Sequence, residues 1–481
     1  MGCMTYMVSC SRRWLAVSVV VMMALRLVAQ EVPCSFAEAC ERMLGHNAAL
    51  KAAEAEVQMA RRGQKRAEAL WWPQLQAGGM YMHLSEEVEV RERLSRFTDP
   101  AKAYVQQLVP GEQLVTGLLD RVGEHTLSVP LLPQDVASVG LTAEWVAFSG
   151  GKRLYADRAA RRIVELARNG SERLRAAEVV ALVERYYGLV LAQHTVEVCR
   201  QRYVGLQRHY ADALRMEEVG MADKATRLFA QVAMEEAERE WRGAVSRERV
   251  GQTALKQLLG MDGDTARVVP TSPLFAGMEL PPEAFFVEAM RQGNPTLGAL
   301  AIEERMADDR LRMELGDYLP TVALFGKQTL YAHGLPSNLL PRTVVGVGFA
   351  WNLFDGLGRE RKVAQTKLSR QALAWEREDA EAHLEVAVGE LYATLQQAMA
   401  EIGVLDGTIA LGEELLRMRR AAFAEGMATS AELVDAENAL ATSRVAWLTA
   451  RYACDVALAN LLAVCGILND KDNVWRRDAD T

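Results

Sequence analysis

The chain has 481 residues, half of them hydrophobic, with 14 prolines, few aromatics and a net charge of −8 at pH 7. An acidic surface disfavours the phosphate backbone, so no nucleic acid is expected as a partner. A composition rich in Ala, Glu, Arg and Leu with so little proline reads as long helices and coiled coils, not as a row of compact domains.

Residues 1–29 read as a signal peptide. Arg12 and Arg13 precede an apolar run from Trp14 to Leu25, and the small residue Ala29 marks the expected cut. The residues following the arginine pair, Trp14, Leu15 and Ala16, fit a twin-arginine signal poorly. Loss of Arg12, Arg13 and Arg26 takes the net charge from −8 to −11. No later run of 18 apolar residues appears, so no helix is expected to span the inner membrane. Five cysteines then remain, Cys34, Cys40, Cys199, Cys454 and Cys465, an odd number without a C-x-x-C pair, so they cannot all be bridged internally. Glu31-Val32-Pro33 ahead of Cys34 does not resemble a lipidation site.

The rest of the chain is one unit written twice. Gly150, Gly220 and Gly260 recur 206 residues later as Gly356, Gly426 and Gly466, and Trp145, Phe148, Arg153 and Trp241 recur as Trp351, Phe354, Arg359 and Trp447. Upstream, Asn47 and Pro73 match Asn294 and Pro320 at a shift of 247, so an insertion of 41 residues, the difference between the shifts, lies between Pro73 and Trp145. The first repeat is read as 30–260, a proline-rich linker as 261–282, the second repeat as 283–466 and a polar tail as 467–481.

Within the first repeat the pattern predicts a helix near 36–70, a strand at about 74–84, an enlarged loop within Leu84–Asp135 and a strand at about 136–148. A long helix over 152–217, a tip turn at 219–222 and a return helix to 260 follow. The second repeat predicts a helix over Glu283–Asp317, ended by Tyr318-Leu319-Pro320, then strands at about 321–331 and 343–354. Val345, Val347, Phe349, Trp351 and Leu353 alternate with Gly346, Gly348, Ala350 and Asn352, a greasy face against a small one, which suits a transmembrane β-barrel wall. Gly346-x-Gly348 lies inside this strand with no helix opening after it, so it is not read as a dinucleotide loop. A long helix from Arg359, a tip at 425–428 and a return helix to Gly466 complete the unit.

The long helices carry apolar residues at 4,3 spacing: Leu384, Val388, Leu391, Leu395, Ala398 and Ile402 in one, and in the other Leu182, Leu189, Ala192, Val196, Cys199, Tyr203 and Leu206, interrupted by Arg185. The return helix repeats the spacing from Leu433 through Ala436 and Leu440 to Leu461. Two such seams around a glycine turn predict an antiparallel helical hairpin. Arg359–Glu425 would be roughly 100 Å long at 1.5 Å rise per residue, and in each repeat the two shorter helices laid end to end approximately match the long one. Four strands per chain cannot close a barrel, and a lipid-facing sheet must close, so several copies must share one.

These residues carry a family resemblance across 35–466. Asn47, Asn294-Pro295, Pro73 and Pro320, with Trp145-x-x-Phe148-x-Gly150-Gly151-x-Arg153, Trp351-x-x-Phe354-Asp355-Gly356-x-x-Arg359 and the two glycine turns, resemble the TolC-type outer-membrane efflux proteins. The fold class this implies is mostly α with a membrane β-barrel part: two repeats of helix, strand, loop, strand, long helix, tip turn and helix, assembled as a trimeric 12-stranded β-barrel continuous with a 12-helix α-barrel. The implied role is the outer-membrane exit duct of a tripartite efflux pump or type I secretion system, a passive channel with a long periplasmic part. The expected partners are two further copies, outer-membrane lipid, a periplasmic adaptor and, through it, an inner-membrane pump. A periplasmic coiled-coil adaptor or structural protein, or a passive uptake pore on the same fold, are the alternatives.

The resemblance also assigns candidate sites. Val219, Gly220, Met221, Gly426 and Met427 would form adaptor-contact tips, although glycine there is also explained by turn conformation alone. Glu432 and Asp435 match an acidic ring at the periplasmic entrance, or form an ordinary solvated helix face. A tip latch near Phe423 and Ala428 would rest on packing. Pro73 and Pro320 mark the helix-to-barrel corners, and Trp71, Trp72, Trp145 and Trp351 suit a membrane-interface girdle or, alternatively, a buried cluster. The seven histidines show no metal-ligand spacing and no nucleophile elbow appears, so neither an enzyme, a metal nor a cofactor is expected.

Overall fold

The structure, a computed structural model, describes residues 31–468 apart from 109, 111–112, 262–265, 276 and 336–340. The signal peptide and the tail beyond Leu468 lie outside the described residues. The chain divides into two compact units, one built from residues up to Ala60, Ile163–Glu304 and the chain from Ala372, the other from Arg61–Arg162 and Arg305–Gln371.

The elements run in chain order as β1 (Glu31–Cys34), α1 (Phe36–His46), α2 (Ala48–Glu68), β2 (Gln74–His83), β3 (Val88–Arg93), α3 (Ser95–Leu108), α4 (Leu114–Gly123), β4 (Thr126–Leu132), β5 (Asp135–Ser149), α5 (Lys152–Glu218) and α6 (Lys224–Leu258). Then come β6 (Arg267–Pro270), α7 (Glu283–Gly293), α8 (Pro295–Leu315), β7 (Thr321–His333), β8 (Thr343–Ala350), α9 (Gly358–Ala424) and α10 (Ser430–Val464). The two long helices have 67 residues each and the two return helices 35 each, so the duplication is preserved to the residue in the helical part.

Four differences from the sequence reading have local causes. Each helix ahead of the strands is broken in two, at Asn47 and at Asn294, where the backbone turns to extended values. The asparagine side chain caps the second piece: Asn47 Oδ1 accepts from the N–H of Ala49 at 2.8 Å and Leu50 at 3.2 Å, and Asn294 Oδ1 from Thr296 at 2.7 Å and Leu297 at 3.1 Å. Pro295, which has no N–H to satisfy, opens α8. The insertion is not a loop but a β3–α3–α4–β4 excursion in which β3 pairs antiparallel with β4. The linker 261–282 contains β6, which pairs in parallel with β1, Glu31 opposite Arg267. Finally β8 stops at Ala350, so Trp351, Leu353 and Phe354 leave the strand and enter the turn toward α9.

The core of the first unit gathers where β1, α1, α5, the linker and α10 meet. Tyr186 is fully buried and donates its hydroxyl to the carbonyl of Cys34 at 2.7 Å while accepting from the N–H groups of Thr271 and Ser272 at 3.1 Å. Phe36 packs edge-on to Tyr186 and stacks on Tyr187. The expected seam residues Leu182, Leu189, Val388, Leu395, Ala457 and Leu461 belong to this core. Cys199 is only half-buried. All five described cysteines are free, and burial pushes the Cys454 and Cys465 thiols up to about 11, which keeps them protonated.

In the second unit a four-stranded antiparallel sheet has the order β2-β5-β7-β8. Among the described residues, both edge strands, β2 and β8, are unpaired on their outer sides. Val345, Val347 and Phe349 of β8 are exposed on one face, while the Phe325 ring lies over Gly346 on the other.

Candidate functional site: the helical tips and the sheet corners

The tips are built by two matching Schellman turns. At the end of α5 the N–H of Met221 bonds to the carbonyl of Met216 at 2.8 Å and that of Gly220 to Glu217 at 3.0 Å; at the end of α9 Met427 bonds to Ala422 at 2.8 Å and Gly426 to Phe423 at 3.0 Å. Gly220 and Gly426 have φ of 75° and 72°, which a β-carbon disfavours. The next helices start at once. Asp223 caps α6 by accepting from the N–H of Thr226 at 2.8 Å, and Thr429 caps α10. The turns therefore present Val219, Met221 and Met427 outward, each about 70% exposed.

Glu432 has a local role that the charge pattern concealed. Thr429-x-x-Glu432 is a capping box: Thr429 Oγ1 accepts from Glu432 N–H at 3.3 Å, and the carboxylate accepts from Thr429 N–H at 3.0 Å. Arg419 sits 3.2 Å from its other oxygen. The backbone hydrogen bond and Arg419 hold the Glu432 carboxyl below its ordinary pKa. Asp435, one turn on, is exposed.

Behind the tips the two hairpins lock together. Phe423 packs with Ala213, Ala230 and Leu433, with Tyr210, Met216 and Ala428 alongside. Packing is not the whole of it. His209 Nε2 lies 2.6 Å from Ser430 Oγ, its ring edge-on to Phe423, and the buried Glu437 pairs with Arg420 beside Gly205. Arg444 links Gln201 on α5, at 3.0 Å, to Glu413 on α9, at 2.6 Å. His209 and Glu437 were missed because each is a polar residue buried among apolar neighbours, and Arg420 because it reads as an ordinary surface charge; only the pairing across helices reveals them.

The sheet corners show the same duplication in finer detail. Trp145 Nε1 donates to the carbonyl of Trp71 at 2.9 Å, and Trp351 Nε1 to that of Tyr318 at 3.1 Å. Arg153 donates to the carbonyls of Leu70 at 3.2 Å and Ala147 at 2.8 Å, with its guanidinium 4.6 Å from the Trp71 ring centroid. Arg359 repeats this on Asp317 at 3.2 Å and Leu353 at 3.0 Å, 4.9 Å from the Tyr318 ring. Each Trp–Arg pair satisfies two carbonyls freed where a helix ends ahead of Pro73 or Pro320, and the arginine also takes one carbonyl near the end of the later strand. Trp71, Trp72, Trp145 and Trp351 are exposed within the chain, not gathered in a buried cluster. Gly150 and Gly316 approach backbone to backbone, leaving no room for a side chain.

The described residues thus combine a duplicated helical hairpin with a four-stranded antiparallel sheet whose two edge strands are open. A profile of the outer membrane efflux protein family matches residues 286–467. Alkaline protease secretion protein AprF of Pseudomonas aeruginosa is 22% identical over 299 residues, covering 61% of this chain and 62% of AprF. Outer membrane protein TolC of Vibrio cholerae is 21% identical over 313 residues, covering 61% of this chain and 68% of TolC. The crystal structure of the outer membrane protein VceC from Vibrio cholerae superposes with a TM-score of 0.69 at 15% identity, over 90% of this chain and 96% of VceC. The second repeat thus carries the profile of the outer membrane efflux proteins, and the chain shares the fold of VceC over nearly all of its described length.

Proposed function

We propose that the protein is the outer-membrane exit duct of a tripartite efflux pump or type I secretion system. It would act as a passive conduit, not an enzyme, and would be energised by partners it docks. The observation that carries this reading is the four-stranded sheet open at β2 and β8. Unpaired strand edges cannot face hydrocarbon, so closure requires other copies, and three chains supply a 12-stranded barrel. The duplicated hairpins would supply the matching 12-helix tunnel.

In the same reading the exposed Val219, Met221 and Met427 around Gly220 and Gly426 are the docking surface for a periplasmic adaptor, and through it for an inner-membrane pump. Asp435, with Glu432 partly offset by Arg419, would ring the periplasmic entrance and favour cations. The repeats over 30–260 and 283–466 would each contribute half of every protomer's wall, and the tryptophans of the corners would meet the membrane interface at Pro73 and Pro320. The experiment is reconstitution of the detergent-purified protein in planar bilayers, with its mass measured in the same preparation. A trimer that conducts ions is the expected result; a monodisperse monomer without conductance overturns the reading.

A further inference from the structure

The excursion inserted between β2 and β5 is built inside out. Helices α3 and α4 face each other through small or polar residues, Thr98, Thr116 and Gly123, the last so close to Thr98 and Ser95 that a β-carbon would not fit. Their large apolar residues point away. Phe97, Tyr104 and Leu108 form one stripe and Leu114 and Leu118 a second, each between 61% and 80% exposed. Exposed apolar stripes on paired helices mark a surface that is covered by something.

Where the excursion sits decides what covers it. It leaves β2 at His83 and rejoins β5 at Asp135, the end of the sheet away from the corners at Pro73 and Ser149. That end is polar, with Tyr81 Oη and His83 Nδ1 both 2.8 Å from Asp135 Oδ1. The β3–β4 stalk then carries the helices up to about 20 Å further at 3.4 Å per residue. Lipid is a poor match. The helices have 14 and 10 residues, too short to span, and they carry Asp99, Arg121 and the Lys102–Asp120 ion pair.

We propose that the stripes are covered by the same helices of the two other copies, so that three excursions join into a collar at the outer mouth of the barrel. The proposal rests on the trimeric reading above. Twelve strands about 4.8 Å apart and tilted about 40° close on a perimeter of roughly 75 Å, a circle of radius about 12 Å, so the three excursions are rooted about 21 Å apart in a straight line. Two helices side by side measure about 20 Å across. Neighbouring excursions thus meet at the rim, and β2, the strand that leads into each, is itself an open edge continuous with the contact.

The test uses the full-length protein with Leu118→Cys, and Gln106→Cys on the opposite side of α3 as the control, each treated with a bismaleimide of about 10 Å reach. Unsubstituted protein gives the background from the native cysteines. Covalent dimers and trimers from L118C, and none from Q106C, are expected. A preparation of L118C that is trimeric by mass but gives no interchain product above background overturns the collar alone. A monomeric preparation overturns the trimer and the collar together. Quenching by brominated lipid of a fluorophore attached to the thiol of L118C would assign the stripes to the outer leaflet and also overturn the proposal.

Discussion

His209 and Ser430 meet at 2.6 Å between α5 and the first turn of α10, joining the two repeats just behind their tips. Burial lowers the imidazole pKa, with Asp212 opposing in part. A histidine whose folded pKa is depressed contributes stability that is present above its unfolded value of about 6.5 and lost as pH falls through the folded one. Amides around 205–216 and 420–433 are therefore expected to show lower protection factors, that is exchange corrected for the base-catalysed intrinsic rate, at pH 5 than at pH 7.5. His209→Gln should flatten that difference; an unchanged pH dependence in the variant would remove His209 as its source.

Valine at Gly220 or Gly426 puts a β-branched side chain at φ near 75°, a strain of about 1–3 kcal/mol. Neither glycine has a neighbour within 4 Å of a β-carbon, so the strain is in the backbone and not in packing. The variants should assemble normally, show faster limited proteolysis at the tip and lose adaptor in co-purification. Full adaptor recovery from the double variant would take the tips out of the interface.

The capping box separates the two acids. Asp435→Asn should weaken cation preference in bilayer recordings more than Glu432→Gln, because Arg419 already offsets Glu432. Glu432→Gln retains a side chain that can accept at the cap, so its effect on stability should be small. If both single variants leave selectivity unchanged, the acids form a solvated face whose charge is screened within about 10 Å.

Trp145→Phe and Trp351→Phe each remove one indole donor from a backbone carbonyl and keep an aromatic ring. Each should cost about 0.5–1.5 kcal/mol, visible as a lower Tm. The two corners use separate partners, so the double variant should show close to the sum. A strongly non-additive result would mean that the corners form one network.

Asn294→Ala removes a helix cap and also leaves the carbonyl of Val464 without its 2.7 Å donor. The cap alone is worth about 1 kcal/mol. The expected loss is larger than for Thr429→Ala, where only the cap on α10 is lost. Equal losses in thermal unfolding would show that the bond to Val464 contributes nothing.

The duplication was legible because both copies need the same local chemistry in the same order. All six recurring glycines, Gly150, Gly220, Gly260, Gly356, Gly426 and Gly466, have positive φ, and both Trp–Arg pairs hold helix-end carbonyls. The helix break at Asn294 was equally present in the letters, since Asn-Pro announces a cap, but the apolar spacing runs on through it. The excursion was illegible for a different reason. Its helices bury Thr98 and Gly123 and expose Phe97 and Leu118, so hydrophobic periodicity points to the wrong face. Glu432 looked like half of an acid pair because spacing records position, not hydrogen bonding. The β1–β6 pairing joins strands of only four residues, too short to leave a pattern.

That pairing constrains how the chain can be made. Phe36 N–H bonds to Ser272 Oγ at 3.1 Å across 236 residues, and Tyr186 closes on the same linker. A polypeptide threaded out of the cell in order would deliver its early residues long before the linker that holds them. The first unit therefore cannot set as it emerges. For that interval α1 must expose Phe36 and Met43, apolar surface of the kind that makes an incompletely folded chain prone to aggregate.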